Sequence, residues 1–274
     1  MSHEGMSTVS RDDGPALLAI SHGTSDPAGQ RVVHELSEAV GSAAAVRGLA
    51  GTTVLAHVDV QQPDLQAALA GLEEGRAAVA VPLLLSAGYH VRVDLQEAVQ
   101  AAEQAGRRVA VAGALGPDDR LVELLARRLA EVGADPSEDA VILGVAGSSD
   151  TGAQRDCREM AARLSSRLGS ETPAAFLSFS EPTVAEVIER ARAESPGRRV
   201  VVASHLLAPG YFQGLMERAG ADVVTAPLLP EALADGADGD DGDKKRAQDV
   251  PGELVEIVMD RFAEAQRDLN QRSL

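Results

Sequence analysis

Short apolar segments alternate with longer segments of helical periodicity along the chain. In the first half, the apolar segments are 16–21, 53–60, 77–85 and 109–112, and the helical patterns are 29–45, 64–74, 91–105 and 118–132. The apolar segments are continuous rather than alternating, which predicts strands of a parallel sheet covered on both faces. The regular succession of strand and helix favours a doubly wound α/β fold with right-handed crossovers.

The same pattern returns in the second half, with strands predicted at 141–146, 174–179, 199–204 and 223–226, and helices at 151–168, 183–193, 210–219 and 253–269. Short sequences also match: 22–26 with 146–150, 62–63 with 181–182, and 87–89 with 209–211. A repeat this long indicates a duplicated domain and not a solenoid. We therefore predict two tandem doubly wound domains, 14–135 and 138–274, each with a four-stranded, mainly parallel sheet.

Two segments fall outside this pattern. Residues 1–13 are polar and lack the apolar centre of a signal peptide, so they are predicted to be a disordered leader. Residues 231–250 interrupt the second domain with clustered Asp and Gly. The spacing of these aspartates does not fit a calcium-binding loop, and a solvated acidic loop is favoured instead.

Composition narrows the function. The net charge of -17 argues against nucleic acid as a partner and favours cations. The one cysteine, Cys157, rules out an intrachain disulfide and a cysteine-based metal cluster, and it is interpreted as a small core residue. No apolar run reaches the roughly 20 residues of a membrane span, so a cytoplasmic protein without a membrane partner is expected.

Candidate chemistry lies at one edge of the first predicted sheet. His22 directly follows the first strand, Asp59 ends the second, and His90 follows the third at the start of a helix. Ligands of open parallel sheets bind beyond the carboxyl ends of the strands, so the three side chains are expected to converge. The equivalent positions of the second half carry Ala146, Ser178 and Phe212. The duplication therefore predicts one site, in the first half only.

The other histidines are weaker candidates. His57 shares a strand face with Asp59 and is either an auxiliary ligand or, as favoured, a packed residue. His34 is expected to be solvated on the first helix, and His205 to be structural because it aligns with Leu83.

Segments 18–24 (LAISHGT) and 82–91 (PLLLSAGYHV) resemble the two signature segments of the class II chelatases, the family of sirohydrochlorin ferrochelatases and anaerobic cobaltochelatases. Segment 206–212 (LLAPGYF) of the second half is similar to the second of these. The resemblance covers nearly the whole chain outside the leader and the acidic loop. It is to the long form, in which tandem domains face each other across a cleft.

The resemblance implies that His22 and His90 form the metal-binding and catalytic pair. It places Asp59 at the position of an acidic third group, commonly Glu, so the shorter side chain is a departure. It further implies substrate contacts by Ser86, Gly88 and Tyr89. The implied activity is insertion of a divalent metal into sirohydrochlorin, with Fe²⁺ favoured and Co²⁺ or Ni²⁺ as alternatives, and with no cofactor besides that substrate metal.

These residue types suit metallation. A neutral imidazole binds Fe, Co or Ni, or accepts a pyrrole proton, at neutral pH. Arg31 and Arg92 are candidates for the substrate carboxylates, although the solvated interpretation is equally open. The helix starts after Thr24 and Gly88 offer further N–H donors. The chain has no nucleotide-binding motif.

Two other functions stay open. The same ligands would serve a metal or tetrapyrrole carrier without catalysis. A two-lobed sugar- or amino-acid-binding protein is disfavoured, because the candidate histidines are confined to one half. The duplicated chain is compatible with a monomer or a homodimer.

Overall fold

The computed structural model describes residues 14–86, 88–231 and 250–271. In the third helix it describes the backbone, but not the side chains of five residues: Tyr89, His90, Val91, Arg92 and Asp94. The predicted leader 1–13 and the acidic residues 232–249 lie outside the described residues, so those two expectations stay predictions.

The first half contains one parallel sheet with the order β2-β1-β3-β4. Its elements are β1 (Ala16–Ser21), α1 (Pro27–Arg47), β2 (Thr53–His57), α2 (Leu65–Ala70), β3 (Ala78–Pro82), α3 (Tyr89–Gln104), β4 (Val109–Val111) and α4 (Asp119–Glu131). Central β1 is completely buried, as its unbroken apolar sequence predicts.

The second half repeats this arrangement with the order β6-β5-β7-β8, again with every pair parallel. Its described elements are β5 (Ala140–Val145), α5 (Thr151–Leu168), β6 (Ala174–Phe176), α6 (Val184–Glu194), β7 (Val200–His205), α7 (Tyr211–Glu217), β8 (Val223–Val224) and α8 (Gly252–Gln271). The predicted fold class, two doubly wound units with four-stranded parallel sheets, is confirmed.

Several strands are shorter than predicted. β2 ends at His57 and β6 at Phe176, and three residues further on the chain takes positive φ angles at Val60 and Phe179. Asp59 therefore lies two residues beyond its strand instead of at the strand end. The helix predicted at 64–74 ends at Ala70, ahead of Gly71.

The two sheets share one hydrophobic core, and the halves exchange helices across it. The core joins the inner faces of both sheets with α1, α4, α5 and α8. Helix α4 follows the first sheet but packs on α5 and β7, whereas α8 follows the second sheet but packs on α1, β3 and β4. The outer faces are covered locally, by α2 and α3 on the first sheet and by α6 and α7 on the second.

The loops beyond the strands also cross between the halves. A Cβ on Gly29 of α1 would lie 2.6 Å from the carbonyl oxygen of Pro209, in the loop after β7. Reciprocally, a Cβ on Gly88, after β3, would lie 3.1 Å from Oγ of Ser148 at the start of α5. The carboxyl edges of the two sheets therefore border one common region.

Among the described residues, no helix combines the length and the apolar composition that crossing a membrane requires. The cytoplasmic location stays a prediction.

Candidate metal-binding and catalytic site

His22 lies at the carboxyl end of β1, where the strand order of the first sheet reverses. Strand β1 pairs with β2 on one side and with β3 on the other. This switch point is where doubly wound sheets bind ligands. The residue is exposed, and its carbonyl oxygen accepts a hydrogen bond of 3.0 Å from the backbone N–H of Asp59.

Gly23 allows this close approach of the two loops. Its φ angle is 90°, and a Cβ on it would lie 1.9 Å from the carbonyl oxygen of Asp59. Any side chain at position 23 would therefore collide with backbone. The glycine of the first signature segment has a physical role, which is to bring the chain after β2 against His22.

Asp59 is exposed beside His22. Its Oδ1 accepts the backbone N–H of Val60 at 2.7 Å, which orients the carboxylate within its own loop. The structure thus brings two of the three predicted metal-binding residues together through their backbones.

His90 lies in the first turn of α3, which follows β3, the neighbour of β1. The side chains of His90, Tyr89 and Arg92 are outside the described residues, so their assigned roles stay predictions. Among the side chains that are described, no group of three His, Cys, Asp or Glu is arranged to hold a metal ion. Without the side chain of His90, the proposed set of metal ligands is incomplete.

The two helix starts near the site differ. In α1, Asp26 caps the helix, and its carboxylate accepts the N–H groups of Ala28 at 2.8 Å and Gly29 at 3.1 Å. The expectation that the helix start after Thr24 binds substrate carboxylates is therefore wrong, because Asp26 already uses these donors. Gly88 begins α3 without a side-chain cap, so that helix start keeps its predicted role.

Arg31 and Ser86 are both in contact with other parts of the protein. Arg31 forms an exposed ion pair with Glu231, at the edge of the predicted acidic loop. Ser86 Oγ lies 4.0 Å from Sγ of Cys157 on α5. Burial raises the pKa of the Cys157 thiol, as expected for a packed residue and not for a reactive thiolate.

Three other histidines are described. His57 is buried, and its Nδ1 lies 2.7 Å from Ser21 Oγ; desolvation lowers its pKa. This geometry supports the packed residue over the auxiliary ligand. His34 is exposed, with Nε2 3.4 Å from Glu38. His205 is fully buried, and desolvation lowers its pKa to about 4.

The second half keeps the same backbone frame without the candidate metal-binding residues. Ser178 N–H donates to the carbonyl oxygen of Ala146 at 3.1 Å, and Gly147 has a φ angle of 97°, which repeats the geometry of Asp59, His22 and Gly23. Ser178 Oγ also donates to the Ala146 carbonyl at 2.9 Å. The duplicated backbone is retained, but Ala146 and Ser178 stand in place of His22 and Asp59.

Sequence reasoning missed the apolar residues at these edges. Val60 and Phe179, equivalent residues in the two halves, are exposed with positive φ angles. Because both are hydrophobic, the sequence pattern predicts them as the last residues of strands, whereas both lie beyond the strand ends. The sequence does contain a signal that the two residues are equivalent, because each stands two positions before a matching pair, 62–63 or 181–182.

The chain thus contains two similar parallel α/β units in tandem, with His22 at the switch point of the first and Ala146 at the equivalent position of the second. The family model described as CbiX matches residues 16–132 and 140–223. The chain belongs to the CbiX family.

The relatives fit this assignment. The chain is 32% identical over 146 residues to the sirohydrochlorin ferrochelatase of Priestia megaterium, and this match covers 52% of this chain and 54% of that protein. SirB from Bacillus subtilis with Fe³⁺ aligns with a TM-score of 0.71 at 18% identity, covering 92% of this chain and 96% of SirB. SirB from Bacillus subtilis subspecies spizizenii in complex with cobalt aligns with a TM-score of 0.70 at 17% identity, covering 93% and 96%. The curated relative is thus matched over about half its length, and the two SirB structures show a shared fold.

Proposed function

We propose that the protein is a sirohydrochlorin chelatase, which inserts Fe²⁺ into the tetrapyrrole to give sirohaem. One observation carries the proposal: His22 and the first turn of α3, which contains His90, follow the adjacent strands β1 and β3 at the switch point. The second half keeps the backbone of this edge, but it carries Ala146 and Phe212 at the equivalent positions.

The reaction exchanges two pyrrole N–H protons for one M²⁺, so the site has to release a metal ion and accept protons. An exposed imidazole does both, since it binds divalent iron, cobalt or nickel and is mostly neutral at pH 7. Two histidines and one carboxylate hold the ion less tightly than a closed four-ligand site does, which favours its transfer to the macrocycle. In this proposal, His22 and His90 bind the ion, and Asp59 adds charge attraction or takes up a proton.

Metal identity is the finer part of the proposal. The 32% identical relative is named a ferrochelatase, whereas the two SirB structures hold Fe³⁺ and cobalt. Imidazole ligands do not separate these metals strongly. Cobalt insertion, the step that a cobaltochelatase of cobalamin synthesis performs, is therefore the second candidate.

The test is an anaerobic absorbance assay with catalytic amounts of protein, sirohydrochlorin, and Fe²⁺, Co²⁺ or Ni²⁺ in turn. The expected result is many turnovers, with Fe²⁺ fastest. His22→Ala and His90→Ala should each reduce the rate about 100-fold or more, as loss of a general base does. His34→Ala is the matched control, because His34 is an exposed histidine on α1 paired only with Glu38 among the described residues.

The alternatives give different results. A carrier would bind pigment or metal, but it would form at most one equivalent of product per equivalent of protein. Wild-type rates in both His22→Ala and His90→Ala would contradict the proposed site.

A further inference from the structure

Four large apolar side chains are exposed beyond the carboxyl ends of the strands, and we name them the apolar rim. They are Val60 after β2, Phe179 after β6, and Tyr211 and Phe212 at the start of α7, with exposed fractions of 60%, 77%, 71% and 39%. The chain has only two Tyr, four Phe and no Trp, and three of these aromatic residues are in the rim. Tyr211 and Phe212 contact each other, and exposed apolar side chains that cluster mark a binding surface.

Two members of the rim are held in a costly backbone conformation. The φ angles of Val60 and Phe179 are 66° and 58°. The left-handed region disfavours β-branched and bulky residues, so such outliers point to a functional constraint. Both halves place a large apolar residue at this same position, although Asn or Gly would fit the backbone better and would avoid apolar exposure.

The rim borders the candidate site at two points. Cβ of Val60 would lie 3.5 Å from a Cβ on Gly23, next to His22. A Cβ on Gly210, the residue before Tyr211, would lie 3.5 Å from Oγ1 of Thr24. The first-half edge that carries His22 is therefore flanked by apolar residues of both halves.

Phe179 lies at the corresponding edge of the second sheet. It stands between Ser178 and Ser180, and Ser180 Oγ donates to the carbonyl oxygen of Ser148 at 2.7 Å. Ser148 in turn borders Gly88, where α3 and its histidine begin. The rim thus extends from the edge of the first sheet to the edge of the second.

We propose that the apolar rim binds the flat face of the tetrapyrrole. In this arrangement the first half supplies the metal-binding residues, and the second half supplies most of the contact with the macrocycle. This inference rests on the proposed function and assigns residues to substrate binding within it. A conjugated macrocycle has wide apolar faces and carboxylates at its periphery, and aromatic rings contact such faces favourably. Tyr211 and Phe212 lie edge to face, with centroids 5.5 Å apart and an interplanar angle of 73°, so they offer one ring face and one ring edge.

This division of roles between metal binding and macrocycle contact also explains why the second half differs from the first at the candidate site. The second half carries Ala146, Ser178 and Phe212 where the first half carries His22, Asp59 and His90, yet it also carries the three aromatic members of the rim. A copy kept only for its fold would not need large aromatic side chains at these exposed positions.

The test measures pigment binding without metal, which makes it independent of insertion. Absorbance titration with sirohydrochlorin gives Kd for wild type, Val60→Asn, Phe179→Asn and Tyr211→Ala. We expect Kd to rise about tenfold for each aromatic variant and severalfold for Val60→Asn, because an aromatic or aliphatic contact with the macrocycle is lost. In the insertion assay, KM should rise while kcat changes little.

Two controls separate binding from folding. Asn tolerates positive φ better than Val or Phe does, so Val60→Asn and Phe179→Asn should unfold at equal or higher urea concentration than wild type. Val46→Asn removes an 89% exposed valine near the end of α1 and should leave Kd unchanged.

Other outcomes overturn the inference in distinguishable ways. Wild-type Kd values in all rim variants, with metal insertion intact, would refute the rim and leave the chelatase standing. A wild-type protein that neither binds nor metallates the pigment would refute both. Conversion of a dimer to monomers in sedimentation, with Kd unchanged, would assign the rim to contact with a second copy of the chain and refute the inference.

Discussion

The backbone N–H of Asp59 donates to the carbonyl oxygen of His22 across 3.0 Å, so the two residues are held together by main chain and not by their side chains. This arrangement leaves the imidazole and the carboxylate exposed. The second half repeats the bond between Ser178 and Ala146 at 3.1 Å without either ionisable group. The frame is therefore a property of the fold, onto which the chemistry of the first half is added.

Gly23→Ala should disrupt this frame. The new Cβ would lie 1.9 Å from the carbonyl oxygen of Asp59, and backbone has to move to relieve such a contact. We expect the free energy of unfolding to fall by about 3 kcal/mol or more, and kcat for metal insertion to fall because Asp59 is displaced from His22. Urea unfolding and the absorbance assay measure the two effects.

Gly48→Ala is the matched control for that substitution. Gly48 has a φ angle of 64°, but a Cβ there would meet nothing within 4 Å. Its cost should be only the left-handed strain of about 1 kcal/mol, with kcat unchanged. Equal losses in the two variants would mean that the contact with Asp59 is not important.

His205→Leu should stabilise the protein. His205 is buried, and its Nδ1 has no hydrogen-bond partner in the described part of the chain. An unpaired buried acceptor or donor costs about 1–3 kcal/mol, and the aligned position of the first half carries the buried Leu83. The same change at His57 should destabilise, because it removes the buried hydrogen bond of 2.7 Å between Ser21 Oγ and His57 Nδ1.

The pH dependence of this effect has a definite sign. Burial lowers the pKa of folded His205 to about 4, while the unfolded residue titrates near 6.5, so the unfolded state binds the extra proton between these values. His205 therefore costs wild type up to about 3 kcal/mol more as the pH falls from 6.5 to 4. The advantage of His205→Leu should widen across this window in urea titrations, and an advantage independent of pH would contradict the assignment.

The sequence predicts the bounds of helices and strands better than it predicts which sheet each helix packs on. The bounds of β1 and α5 agree with the prediction, because a continuous apolar run and an Asp N-cap mark them locally. The ends of β2 and β6 were missed, since Val60 and Phe179 are apolar for a reason other than burial in a strand. The helix exchange was also missed: a helical pattern indicates that one face of α4 or α8 is buried, but not which sheet covers it. The ion pair between Arg31 and Glu231 likewise depends on the folded chain.

The first predicted domain should not fold alone. In the structure its inner face is covered by α8, from which Leu254, Ile257 and Phe262 are completely buried. A fragment of residues 14–135 would expose this core and also the face of α4 that packs on the second half. We expect circular dichroism and proteolysis to show an unfolded or aggregating fragment.

Residues 14–271 are the control for the fragment experiment, and protease should cleave them only within the predicted acidic loop 231–250. In the same intact chain, Phe262→Ala should cost about 3–5 kcal/mol, whereas Phe179→Ala should cost little because that ring is exposed. A stable, monomeric fragment 14–135 would show that the exchanged helix is dispensable and that 14–135 is an independent domain.

Arg31 should affect substrate affinity, because Glu231 and a substrate carboxylate would compete for its guanidinium. The two side chains form an exposed ion pair, and such pairs contribute less than about 1 kcal/mol. If Arg31 binds a substrate carboxylate, Arg31→Gln should raise KM for sirohydrochlorin severalfold, and Glu231→Gln should lower it by at most about fivefold because the guanidinium is released.

The matched control is Arg47→Gln, since Arg47 is also an exposed arginine of α1 in an ion pair, with Glu256, and its loss should leave KM unchanged. Both effects should weaken in 0.5 M salt, as exposed charges are then screened. An unchanged KM in Arg31→Gln would assign the residue to the surface ion pair alone.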